Sequence, residues 1–193
     1  MSTSDHDTTP KLTYDDYLLL PDDGLRHEII DGRHYMNPAP NTRHQTVSRH
    51  IQFQLYQQIE LAGLGQVFDA PADLVLSSIN IVQPDLIVVL RTNPIINEKN
   101  IRGIPDLVVE ILSPSNRRYD LKLKKRLYEE LAVPEFWVVD PDQQWVEQNQ
   151  LAGDGKYVAS VHRDAIEYRW MDGVACVDLR FVWRGPDSDA TCA

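Results

Sequence analysis

Two short runs constrain this chain more than any other part of it: Pro84–Leu90 (PDLIVVL) and Pro105–Leu112 (PDLVVEIL). Both are apolar with no polar alternation, the pattern of strands buried on both faces. Such strands need covering layers above and below, so they belong at the centre of a sheet flanked by other elements. Each run also holds a carboxylate where the pattern asks for a hydrophobe: Asp85 in the first and Glu110 in the second.

The surrounding segments supply those layers. Tyr14–Leu20 reads as a short helix stopped by Pro21. His27–Ile30 and Arg33–Met36 read as a hairpin around Asp31-Gly32, a dipeptide suited to a turn that needs positive φ at both central positions. From Asn41 to about Leu61, Val47, Ile51, Leu55 and Ile59 recur every fourth position and mark an amphipathic helix. Strands are expected at Gln66–Phe68, Ala72–Leu76, Ile81–Leu90 and Pro105–Leu112. SPSN at Ser113–Asn116 announces a helix that runs to about Leu131, followed by a strand over Pro134–Asp140. Trp145–Val146, Tyr157–His162 and Ala175–Trp183 complete the list as short strands. The order predicts an α/β fold: a central mixed sheet flanked by helices, with extra strands at the C-terminal end.

A length of 193 residues suits one domain, expected over 11–183, with a disordered tail at 1–10 and a flexible one at 184–193. No apolar run approaches the roughly 18–20 residues that span a bilayer. The polar start MSTSDHDTTP lacks the features of a secretory signal, so the cytoplasm is the expected compartment. Cys176 and Cys192 show neither metal-ligand nor redox spacing, and Cys192 lies in a polar tail, which argues against a structural disulfide. The net charge of −10 argues against a protein that coats nucleic acid non-specifically. It leaves room for an enzyme whose positive charge is local or supplied by a bound metal.

Burying an ionised carboxylate is costly without a compensating cation or metal. Asp85 and Asp106 each follow a proline, so either could simply cap or turn into its strand. Glu110 has no turn nearby and shares a strand face with Asp106 and Val108. The following helix adds a third group. At about 100° per residue, Leu121, Leu127, Tyr128 and Leu131 fall on one side, and Lys124 falls in their midst, as does Asp120. Lys124 could snorkel to water or pair with Asp120 one turn away. It could also bring its ammonium to Glu110. Two carboxylates and a lysine suit phosphodiester hydrolysis: the acids hold a hard cation such as Mg²⁺ or Mn²⁺. The lysine orients water or stabilises charge on the phosphoryl oxygens. His44 lies on the apolar side of the first long helix, as a hydrogen-bonded core residue or a secondary site candidate, and Tyr128 is expected to pack with its hydroxyl toward the site. Trp137 reads as core.

These residues resemble the Uma-two family, restriction endonucleases forming a branch of the PD-(D/E)XK nuclease superfamily. The resemblance runs from about Tyr14 to Asp140 through HEIIDG (His27–Gly32), QPDLIVV (Gln83–Val89) and PDLVVEILSPS (Pro105–Ser115). It continues through Asp120, Lys124 and Tyr128 to VPEFWVVDP (Val133–Pro141). It implies a restriction-endonuclease-like core, metal ligation by Asp85 and Glu110, and a catalytic lysine at Lys124. The superfamily's usual lysine would fall at Leu112, so this sequence departs from that pattern. The resemblance also implies Glu28 as a further metal or water contact. The resulting expectation is a Mg²⁺-dependent DNA endonuclease. A catalytically idle binding protein of the same fold, or a nuclease acting on RNA or another nucleotide, are the alternatives. Double-strand cutting would favour a homodimer, matching the symmetry of the duplex.

Overall fold

The computed structural model describes residues 10–37, 40–113 and 119–184. The tails expected at 1–10 and 184–193 lie outside them, apart from Pro10 and Arg184. The chain opens with helix α1 (Tyr14–Tyr17) and the hairpin β1 (Arg26–Ile30) and β2 (Arg33–Asn37). Helix α2 (Thr42–Leu55) continues into a π-helical turn, Tyr56–Glu60. Then come β3 (Gly65–Asp69), β4 (Leu74–Ser77), β5 (Asn80–Val82), β6 (Leu86–Leu90), β7 (Ile101–Arg102) and β8 (Leu107–Ile111). After α3 (Tyr119–Glu130) follow β9 (Glu135–Asp140), β10 (Trp145–Leu151), β11 (Tyr157–His162), β12 (Ala165–Trp170), β13 (Gly173–Asp178) and α4 (Leu179–Trp183).

The main sheet runs β11-β10-β9-β8-β6-β3, a second runs β2-β1-β5-β4-β7, and β12 and β13 form a separate hairpin. The β8–β9 pair is parallel and β6–β8 antiparallel, so the main sheet is mixed. A parallel pair needs a crossover, and α3 provides it.

Strand alternation sorts the core into two layers. Leu86, Val88, Leu107, Val109, Ile111 and Trp137 pack with Val47, Ile51, Leu55 and Ile59 of α2 and its π-helical turn. Ile87, Val89, Val108, Phe136 and Val138 face the other way, with Leu127 and Tyr128 of α3 and residues of the second sheet. The four α2-side residues are fully buried, each stabilising by roughly 1.5–3 kcal/mol before conformational entropy is set against it. Glu110, between the core residues Val109 and Ile111, projects with Val108 to the α3 side.

The expected strand Ile81–Leu90 is two strands. β5 ends at Val82 in the second sheet, β6 begins at Leu86 in the main one, and Gln83-Pro84-Asp85 crosses between them. Pro84 has no N–H to donate to a ladder, which favours a break there. The C-terminal part also differs. Trp145–Val146 extends to Leu151, β12 was not among the expected strands, and Leu179–Trp183 is helical. Asp178 caps that helix by accepting from the Arg180 N–H at 2.9 Å. The Asp31-Gly32 turn is present, with φ of 53° and 76°. No helix among the described residues is long and apolar enough to cross a membrane.

Candidate active site

Asp85 sits where the chain enters β6, 4% exposed. Its Oδ1 accepts from Arg26 Nη1 at 2.8 Å. Its Oδ2 accepts from the Ile111 N–H at 2.8 Å and faces His44 Nε2 at 3.0 Å. Because a carboxylate only accepts here, Nε2 carries the proton. Burial pushes the Asp85 carboxyl up, but the His44 hydrogen bond and charge, Arg26 and the Ile111 amide outweigh it. The net effect holds the group below the ordinary aspartate value.

The second node is Lys124. Its ammonium donates to Glu110 Oε1 and to Glu28 Oε1, each at 3.0 Å, and the residue is 3% exposed. Tyr128 OH donates to the same Glu110 oxygen at 2.8 Å. Glu28, on β1, is fully buried; its Oε1 also accepts from the Gln83 N–H at 2.7 Å and its Oε2 from Asn37 Nδ2 at 2.7 Å. Lys124 can reach both acids because α3 covers the face of β8 from which Glu110 projects. The two nodes meet at one cavity of about 60 Å³, whose lining includes Asp85, Glu110, Lys124, His44 and Arg26.

The residues singled out in the sequence fare differently. Asp85, Glu110 and Lys124 line that cavity together, and Glu28 and Tyr128 bond to members of it. His44 bonds to Asp85 directly. Asp106 turns out to cap: its Oδ2 accepts from the Leu90 N–H and from Asn93 Nδ2. The side chain of Asp120 lies outside the described residues. Trp137 is fully buried. Arg26, Asn37 and Gln83 were missed. Arg26 stands two residues before Glu28 on one strand face, a period-2 signal the sequence did offer.

The donor chemistry suits a hard cation, with two carboxylates on one cavity. His44 Nδ1 and Gln83 Oε1, also on cavity-lining residues, are buried without a hydrogen-bond partner among the described residues. Three carboxylates, Glu28, Asp85 and Glu110, face two cations, Arg26 and Lys124. No group of three or more His, Cys, Asp or Glu side chains among the described residues is placed to hold a metal alone. Mg²⁺ commonly takes only one or two carboxylates and fills its other positions with water and phosphate, so the set fits.

A crystal structure of a "putative nuclease belonging to DUF820" from Anabaena variabilis ATCC 29413 superposes with a TM-score of 0.73. It covers 89% of this chain and 97% of that one at 17% sequence identity, a likeness of fold. The fold is thus restriction-endonuclease-like, as expected. No curated protein matches the chain. The profile of the Uma2 family, described as "Putative restriction endonuclease", matches residues 14–167, about four-fifths of the length, and the chain belongs to that family.

Proposed function

We propose that this protein is a divalent-metal-dependent nuclease that hydrolyses phosphodiester bonds of DNA. One observation carries the reading: a buried lysine, Lys124, is held between Glu28 and Glu110 on the cavity that Asp85 also lines. Asp85 and Glu110 are the proposed ligands for Mg²⁺ or Mn²⁺. The bound cation would neutralise charge on the scissile phosphate and lower the pKa of water at that point.

The chain's own groups do the rest. Lys124 presents a fixed positive charge where negative charge grows on the phosphoryl oxygens. Glu28, fully buried and also bonded to the Gln83 amide and Asn37, acts by positioning that ammonium. Tyr128 OH steadies the Glu110 carboxylate, and His44 and the Ile111 amide steady Asp85. The proposal keeps the cytoplasm as the compartment. It keeps a homodimer as the assembly for double-strand cutting.

A second reading, a binding protein that does not cut, draws on Arg26, which already occupies Asp85 Oδ1 at 2.8 Å. The two separate in an assay of plasmid DNA, single-stranded DNA and RNA with Mg²⁺ or Mn²⁺, comparing wild type with Asp85→Ala and Lys124→Ala. Cleavage by wild type alone supports the enzyme, and the preferred substrate replaces DNA if RNA is cut instead. Equal inertness of all three proteins on every substrate sinks it. Calorimetric titration with Mn²⁺ gives an independent readout: Asp85→Ala should weaken binding at least tenfold.

A further inference from the structure

An acidic nuclease has to hold a polyanion somewhere, and one stretch of this chain stands apart in charge. From Gly32 to Ile59 there is no aspartate or glutamate, in a chain that has 29 of them, and the same stretch carries Arg33, Arg43 and Arg49. Half of it is helix α2. Arg43 has a structural task, donating to the carbonyls of Trp183 and Pro141. Arg49 is exposed, and among the described residues it makes no hydrogen bond or ion pair.

Arg49 lies on a groove of about 230 Å³ that adjoins the active-site cavity, sharing Arg26, Pro40, His44 and Asp85 with it. Gln45, Ser48, Arg49 and Gln52 of α2 line this groove. Their spacing of three and four residues puts them along one helix face. None of these four side chains is engaged with another described residue. Asp69 and Asp85 are the acids in the lining. The face is therefore a row of uncommitted donors with one free guanidinium, leading out of the catalytic cavity. Its chemistry matches a run of phosphodiester oxygens, to which arginine binds in bidentate fashion.

We infer that the groove along α2 holds the nucleic-acid backbone next to the scissile bond, with Arg49 clamping a flanking phosphate. The inference rests on the nuclease reading for its substrate, but binding can be measured without cleavage. Fluorescence anisotropy in EDTA would follow three labelled probes of one sequence: single-stranded DNA, duplex DNA and single-stranded RNA. Arg49→Ala should weaken binding of at least one probe roughly tenfold. It should also lower the slope of log affinity against log salt by about 0.7–0.9, the share of one phosphate. Arg49→Glu should be weaker still. Arg91→Ala, at an exposed arginine lining a different groove, should bind like wild type. The probe with the largest loss identifies the strand type.

Arg49→Ala binding like wild type, equal losses from Arg49→Ala and Arg91→Ala, or no binding of any probe by wild type would each overturn the clamp. The two proposals fail separately. Loss of binding in Arg49→Ala without any cleavage by wild type leaves the groove standing and removes the nuclease. Metal-dependent cleavage that Arg49 variants leave unchanged, with unchanged binding, does the reverse.

Discussion

Replacing Lys124 with methionine tests the electrostatic logic of the site directly. The substitution keeps most of the side-chain volume and removes the ammonium. The side chains of Lys124 and Glu28 are 4% and 0% exposed, and that of Glu110 is 12% exposed. Little solvent is available to take over the lost charge. Removing one partner of a buried pair typically costs about 3–5 kcal/mol, because an uncompensated charge stays behind. Two acids share this lysine, so the upper part of that range is expected. For a protein of this size each kcal/mol moves Tm by about 2–4 °C, so about 4–5 kcal/mol gives a fall of roughly 8–20 °C at pH 7. The loss should depend on pH in a definite direction. Without the ammonium the two acids keep an uncompensated buried charge, which protonation at low pH removes. The deficit of Lys124→Met should therefore shrink from pH 7 toward pH 4. Adding Glu28→Gln should restore part of the stability at pH 7. Urea denaturation of the three proteins at both pH values measures all of this. A single variant within 1 kcal/mol of wild type at pH 7, or a deficit that does not change with pH, would refute the reasoning.

Asp85 should show the opposite sign. Its depressed pKa contributes stability above the ordinary aspartate value of 3.8, lost as pH falls through the lower folded value. The urea midpoint gap between wild type and Asp85→Asn should narrow from pH 7 to pH 3, and a constant gap would count against the cage around this carboxylate. Gly32→Ala should destabilise by about 1–2 kcal/mol or more in thermal melts, since φ is 76° and a Cβ there would lie 2.5 Å from Lys11 Cβ. An unchanged melt would mean the turn is free to rearrange.

The site was legible wherever a residue broke a local rhythm. Glu110 interrupts an apolar strand, and Lys124 interrupts the apolar stripe of a helix, so each stood out without knowledge of its partner. Helix and strand periodicity also anticipated the core, because α2 and the two central runs bury the residues their spacing marks. Long-range pairing left no comparable trace. Glu28 lies 96 residues from Lys124 and breaks no local pattern, and it entered the expected site only through a family resemblance. The same distance problem hid the Arg26–Asp85 pair, 59 residues apart. β12 is absent from the expected strands although Ile166, Tyr168 and Trp170 alternate with polar residues, and α4 reads as a strand in the sequence because five residues hold little periodicity. The break at Pro84 was masked by the apolar residues on either side.

That break has a wider consequence. Gln83-Pro84-Asp85 is a seam between two sheets, and it is fastened on both sides by groups of the site. The Gln83 amide is tied to Glu28, and Asp85 to the amide of Ile111 on β8. The carboxylates are thus rivets of the scaffold as well as the proposed tools of the chemistry. Removing either carboxylate therefore also unties one side of the joint between the two sheets, apart from any effect it has on chemistry.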